Sequence, residues 1–272
     1  MLGRILLAVF VVTAAPALAA PAIELPEAAQ QGALVVGRTD PGASVRVDGR
    51  DVRVSPAGLF LIAIGRDDSE PRHVTVTDPL GISNEATVSV IAREYDIQRI
   101  DGLPKKTVTP DPETATRIGE EIAAISEVRT LDTPRDDFAA GFQWPLTGTI
   151  TGVYGSQRIL NGNPRRPHFG VDIAAPEGTP VRAMGAGTVR LAHPDMVLTG
   201  QTLMVDHGHG LMSVYTHMSD IAVAEGSRVE AGDVIGAVGQ TGRATGPHLH
   251  WGVTLFSVQL DPMLVAGPMP EG

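Results

Sequence analysis

The chain has no cysteine in its 272 residues. It therefore carries no disulfide and no thiolate metal site, and any metal must be held by His, Asp or Glu. That suits an exported protein, which cannot rely on reduced thiols. Aromatic residues are scarce, at 4%. Basic residues are in deficit, 21 Lys+Arg against 31 Asp+Glu for a net charge of −10, which argues against nucleic acid as a partner. Beyond the N-terminus no segment is apolar enough to cross a bilayer, so the mature chain is expected to have no stable membrane span.

The N-terminus itself reads as a secretory signal peptide over residues 1–19. Arg4 precedes a small and apolar run from Ile5 to Ala15. Ala17-Leu18-Ala19 then supplies small residues at the spacing of a signal peptidase site. The run is shorter than the ~20 residues of a membrane span. Export across the inner membrane to a periplasmic location is the expectation.

Residues 24–93 read as short strands with turn punctuation, a small β-sandwich. Val45-Arg46-Val47 and Val52-Arg53-Val54 alternate around Asp48-Gly49-Arg50, a hairpin signal. His73 reads as a surface residue. Residues 94–141 form a helical linker segment. Asp111-Pro112-Glu113 is an N-cap, a proline at the first helical position and an acidic first turn. Ile118, Ile122, Ile125 and Val128 then mark an apolar docking face opposite Glu120, Glu121 and Glu127. The charged stretch Thr130–Asp137 reads as a plain connector. Residues 142–272 are Gly-rich β again, with no convincing helix. Glu177-Gly178-Thr179-Pro180-Val181 and Glu225-Gly226-Ser227-Arg228-Val229 are weakly similar to each other.

Seven of the eight histidines fall in this last part. His168 and Asp172 stand four apart beside Pro167 and Gly170, so an extended chain places both on one face. In Gly246-Pro247-His248-Leu249-His250-Trp251 two imidazoles likewise share one side. The pair alone fits two metal ligands, one ligand with a catalytic base, or two ordinary strand residues. His217 ends an alternating Met212, Val214, Thr216 set. His193 reads as a loop residue, Asp206 and His207 as a strand end, and His209 as an exposed turn residue between two glycines. Zinc accepts imidazole and carboxylate, and a catalytic zinc keeps three protein ligands and an open position.

His168-x-x-x-Asp172, Tyr215-Thr216-His217-Met218 and Gly246-Pro247-His248-Leu249-His250-Trp251, in this order, resemble the lysostaphin-type (LytM-like) zinc metalloendopeptidases of cell walls. The likeness covers about residues 144–264. It takes in Gly178–Val181 with Gly185–Val189, and Gly226–Gly236. Tyr154–Arg158 with Asn161–Pro164 resembles exported Gram-negative members. The resemblance implies a C-terminal all-β duplicated hybrid half-barrel peptidase domain beside a groove, so that the chain is mainly β. It implies Zn²⁺ held by His168, Asp172 and His250, with His217 and His248 as unliganded catalytic histidines. It implies cleavage of peptides in peptidoglycan; the signal peptide and the absence of cysteine fit a periplasmic enzyme acting on stem-peptide cross-links, and Arg158 and Asn161 are candidates to contact substrate or to line the rim. No His-Glu-x-x-His motif is present, so an imidazole replaces that motif's glutamate base. The rival is an inactive relative that activates another wall hydrolase. Such regulators typically lose ligands, whereas all five positions are filled here. A biotinyl or lipoyl carrier half-barrel shares the Gly-Val rhythm of Glu230–Gly236, but it needs a hairpin lysine and residues 142–272 have none.

Overall fold

The structure, a computed structural model, describes residues 19–100 and 111–270. The expected signal peptide lies outside the described residues but for Ala19.

The N-terminal part is built from β1 (Ile23–Glu24), β2 (Ala28–Gln30), β3 (Leu34–Thr39), β4 (Ser44–Val47), β5 (Arg50–Val52), β6 (Leu59–Ala63), β7 (Arg72–Thr77) and β8 (Ser83–Ile91). They form two sheets, ordered β1-β3-β6 and β2-β8-β7-β4-β5. Asp48 and Gly49, at φ 50° and 76°, make the tight turn between β4 and β5 that their sequence predicts. Val35, Val45, Phe60, Ile62, Val74 and Val76 fill the space between the sheets. His73 is exposed on β7.

The linker folds more than its composition suggests. β9 (Ile97–Ile100) pairs in parallel with β11 (Gln157–Leu160), which also pairs with β12 (Asn163–Pro164). Helix α1 (Pro112–Val128) starts as expected, with the Asp111 carboxylate accepting from the Thr114 N–H at 2.9 Å. Its docking face differs from the expected one. Ile122 is 54% exposed, whereas Glu121 is buried. The reason is polar: the Glu121 carboxylate accepts from the Val197 N–H at 2.9 Å and from Arg117 Nε at 2.9 Å. Once that acid is turned inward, Ile125 and Val128 follow it and Ile122 faces out.

The C-terminal part has β10 (Thr149–Gly152), β13 (Val171–Ala174), β14 (Pro180–Arg182), β15 (Gly187–Met196), β16 (Gly200–Asp206), β17 (Leu211–Ile221), β18 (Arg228–Val229), β19 (Val234–Val238), β20 (His248–Leu255) and β21 (Val258–Leu260). The main path is β10-β13-β20-β17-β16-β15-β18, with β14, β19 and β21 attached to it. The two similar sequence segments are structural equivalents. Gly178 N–H donates to Val238 and Val238 N–H to Thr179; Gly226 N–H donates to Val189 and Val189 N–H to Ser227. Both glycines need their left-handed φ, 85° and 82°.

Two further readings are corrected. A short helix, α2 (Pro262–Ala266), is capped by Asp261, so the C-terminal part is not free of helix. His193 lies in β15 rather than in a loop.

One face of the main sheet packs on Tyr215, Leu249, Trp251 and Val253. The other face carries Met204, Met212 and Val214, which are covered by Ile125 and Val128 of α1 and by Leu131. Val214 pairs with Gly252 and Thr216 with His250, so α1 lies on the face that bears His250.

Candidate metal centre and active site

Strand alternation sorts the side chains. Val171 and Ile173, and Leu249, Trp251 and Val253, point into the core. Asp172, His248 and His250 therefore project from the opposite face. The β13–β20 register sets Asp172 directly against His250. His168, on the loop before β13, completes the group. His168 Nε2 lies 3.0 Å from Asp172 Oδ1 and 3.0 Å from His250 Nδ1, and His250 Nδ1 lies 2.8 Å from the same carboxylate oxygen. Among the described residues these three form the one group of His, Asp or Glu placed to hold a metal ion.

Two glycines make room for it. A Cβ on Gly152 would lie 2.4 Å from Asp172 Oδ2, and one on Gly170 would lie 2.6 Å from His250 Cε1. The sequence gives neither glycine this role; their only signal is glycine inside or beside a short apolar strand.

His217 reaches the site by breaking alternation. Tyr215 faces the core, so a regular strand would send His217 there too. Instead His217 has φ 63°, and Met218 takes the core position. Pairing with β16 and β19 is irregular on either side. The His217 ring comes to 4.8 Å from His248 and 6.3 Å from His250, centroid to centroid.

Hydrogen bonds fix three tautomers. A carbonyl only accepts, so His217 Nδ1 donates to Thr241 O (2.8 Å) and His248 Nδ1 to Gly246 O (2.8 Å). His168 Nδ1 donates to Val153 O at 3.1 Å. A ring anchored in this way carries its lone pair, when it has one, at Nε2 on the side of the site. Burial pushes His217 down to about 4, the Thr241 bond opposing and nearby His248 and His250 reinforcing. It is neutral at neutral pH. Burial alone would raise Asp172, but the His168 and His250 rings beside it hold it well below the usual carboxylate range. Burial depresses His168 less than Asp172 raises it, and depresses His250 more.

The donor set fits a cation. Two nitrogens and a carboxylate oxygen crowd one point, and His168 Nε2 already presents a lone pair there. One proton between His250 and Asp172 satisfies one edge of this triangle only. A divalent cation satisfies all three, and N, N, O donors match zinc.

The remaining histidines have structural places. His207 is fully buried, Nδ1 donating to Ala186 O at 2.6 Å and Nε2 accepting from Ser213 at 2.8 Å. His209, expected to be exposed, is 3% exposed. Residues 133–140 fold over its turn: His209 N–H donates to Thr133 O, and the Phe138 ring packs 4.9 Å away. That stretch is no plain connector, since Asp137 pairs with both Arg135 and Arg228. Arg158 lies exposed on β11 and Asn161 at the turn after it, both outside the donor triangle.

An antiparallel sheet presenting two nitrogens and one carboxylate oxygen, with two further imidazoles alongside, has the donor set of a metal-dependent hydrolase. The model of peptidase family M23 matches residues 166–262. A crystal structure of a putative peptidase M23 from Pseudomonas aeruginosa is 30% identical with a TM-score of 0.68, over 87% of this chain and 94% of that one. The DD-carboxypeptidase/endopeptidase Mpg of Neisseria meningitidis serogroup B is 43% identical over 106 residues, 39% of this chain and 24% of the relative. The peptidoglycan DD-endopeptidase ShyA of Vibrio cholerae is 40% identical over 105 residues, 38% of this chain and 24% of the relative. The chain belongs to peptidase family M23, a family of metallopeptidases. It spans about a quarter of the length of these two curated relatives.

Proposed function

We propose that the chain is an exported, periplasmic zinc metalloendopeptidase that hydrolyses stem-peptide cross-links in peptidoglycan. Residues 142–272 are its peptidase unit, 24–93 an accessory sandwich and 94–141 the segment that joins them. The observation that carries this reading is the convergence of His168 Nε2, Asp172 Oδ1 and His250 Nδ1 beside two imidazoles held by carbonyls. The relatives named as peptidoglycan endopeptidases support the substrate.

His168, Asp172 and His250 would hold the zinc. Bound there, Zn²⁺ would lower the pKa of a water to near neutrality and polarise the scissile carbonyl. The chain's own part is proton handling. His217 and His248 both face the site through Nε2, with Nδ1–H anchored. Either takes the proton of the attacking water at Nε2. The ring that has taken the proton then donates its Nε2–H to the tetrahedral intermediate and delivers that proton to the leaving amine. The depressed His217 favours early release of any proton it takes. Arg158 and Asn161 are proposed to meet the substrate along the rim.

The test is incubation of residues 20–272 with muropeptides of known linkage, with and without chelator. Cleavage that stops with chelator and returns with Zn²⁺ is the expected result. Products indifferent to chelator would refute the zinc mechanism.

A further inference from the structure

His217 holds a backbone conformation that a residue with a side chain seldom takes, φ 63°, and such a conformation lasts only where its surroundings fully determine it. Printed in hydrogen bonds, those surroundings are few. The His217 N–H leaves the regular ladder and donates to Thr199 O at 2.8 Å. The ring is anchored through Nδ1–H on Thr241 O at 2.8 Å. The Thr241 hydroxyl donates to Met218 O at 2.7 Å and accepts from the Gln201 N–H at 2.9 Å.

Both anchors of His217 lead to the turn 197–199 between β15 and β16. Thr199 belongs to it. The loop that carries Thr241 is laid directly on it: the Arg243 N–H donates to Leu198 O at 3.0 Å. The fit leaves no room for a side chain. A Cβ on Gly200 would collide with Thr241, and one on Gly242 with Gly200 and Leu198. A shift of the turn would therefore carry the backbone of His217 and the anchor of its ring together.

The turn is itself held from outside, by helix α1. The Glu121 carboxylate, buried at 9% exposure, accepts from the Val197 N–H at 2.9 Å through Oε2. Its other oxygen accepts from Arg117 Nε at 2.9 Å, and Arg117 also bonds the carboxylate and carbonyl of Asp195. Thr199, which holds His217, lies two residues along from Val197, which Glu121 holds. The helix, Pro112–Val128, lies outside residues 166–262 that the family model matches. The chain thus supports a histidine of the site from a segment that the peptidase unit does not contain.

We propose that Glu121 is a positioning residue for His217: by fixing the turn 197–199, the linker helix sets where His217 Nε2 stands beside the donor triangle. A carboxylate that orients a functional imidazole through one intervening turn does the work of an outer layer of support, which a site needs as much as its reacting groups. The link from helix to ring stands on the hydrogen bonds alone; that its consequence is catalytic rests on the peptidase reading.

The test uses residues 20–272 and pairs kinetics with a readout that needs neither metal nor cleavage. E121A is expected to lower kcat on a muropeptide by about 10- to 10²-fold, with KM and bound zinc little changed, because the ring that shifts is not a ligand. E121Q keeps an amide oxygen for the Val197 N–H and should keep most of the activity. In an H217Q background E121A should cost nothing further, since the ring it positions is gone. In the metal-free chain with isotope-labelled histidine, the His217 Nδ1–H signal, assigned by its loss in H217Q, should exchange with solvent about tenfold or more faster in E121A. The signal of His207, bonded to Ala186 O in the core, should not change. An equal loss of kcat from E121A in the parent and in H217Q overturns the proposal, because it marks a general loosening. So does an E121Q as slow as E121A, or a His217 Nδ1–H that exchanges no faster in E121A than in the parent. A parent that cuts no muropeptide, with E121A still freeing the His217 Nδ1–H, would fell the peptidase reading and leave the link from helix to ring standing.

Discussion

At the scale of single residues, position does what residue type alone does not. His217 and His248 donate Nδ1–H to carbonyls, so each is fixed as an Nε2 acceptor. Replacing either with Gln removes that basic nitrogen while leaving His168, Asp172 and His250 in place. H217Q and H248Q are expected to lower kcat by about 10²–10⁴-fold, with bound zinc per chain unchanged by elemental analysis. H168A and D172A should lose zinc and activity together. The glycines give a sharper case. G170A puts a methyl carbon 2.6 Å from His250 Cε1 and 2.6 Å from Trp251 O, a contact that only displacement relieves. Its zinc content after dialysis should fall although no ligand has changed; retention of full zinc would show that the His250 ring is freer than its packing implies. Asp172 and His248-Leu249-His250 obey simple strand alternation, with Leu249 buried between its neighbours, whereas His168 lies on the loop before β13, and the three are joined as one donor set through resemblance. His217 was legible only through resemblance, because alternation would place it in the core. Its left-handed backbone is a tertiary fact with no local sequence mark. The exposure expected of His209 failed for the same kind of reason: what covers it comes from residues 133–140.

At the scale of elements, ends were readable and faces were not. Asp111 and Pro112 mark the start of α1 by local chemistry, and the helix begins there. Its buried face is decided by what it lands on, and that is the β15–β16 hairpin. Arg117 bonds the Asp195 carboxylate and carbonyl, and Glu121 caps the Val197 N–H. E121A should therefore cost about 1–3 kcal/mol in denaturant unfolding, since it strips a partner from a buried donor and from Arg117. I122A, on the exposed side, should fall within about 0.5 kcal/mol of the parent. The reverse order would restore the face read from periodicity. A second element-scale case is the 3-10 turn over Asp137–Ala140. Burial of Asp137 would raise its pKa, yet hydrogen bonds and charge from Arg135 and Arg228 bring it down to about 2 from 3.8. A depressed carboxylate stabilises the fold above its unfolded value and stops doing so as pH falls through its folded value. D137N should thus be less stable than the parent by about 1–2 kcal/mol at pH 7. The gap should narrow below about pH 4 and vanish near the folded value of about 2. A gap independent of pH would mean that the carboxylate's charge is not what matters.

At the scale of the whole molecule, the sequence suggests beads on a string and the structure shows a shared wall. The strand β6 reads Leu-Phe-Leu-Ile-Ala, and four of its five residues are buried. Phe60 and Ile62 fill the sandwich, whereas Leu59 and Leu61 belong to the cluster that holds Trp144, Trp251 and Leu260. A strand apolar on both faces announces burial on both sides; periodicity does not say by what. Polar ties run along the same border. Arg93 pairs with Asp261 at 2.8 Å, and Arg66 Nε donates to Gly155 O at 2.9 Å. Asp261 in turn caps α2, so the two halves share even a helix start. Such an arrangement should unfold as one unit, and the tryptophans make that measurable. Both of them, Trp144 and Trp251, lie in the C-terminal part. Phe60 is buried wholly inside the sandwich core. F60A removes about 3–5 kcal/mol of packing from the N-terminal half alone. If the wall couples the halves, tryptophan fluorescence and far-ultraviolet dichroism should shift together to lower temperature in F60A. If the halves are independent, the fluorescence transition stays where it is while part of the dichroism melts early, and the sandwich reduces to a separate module that the peptidase unit does not need for its stability.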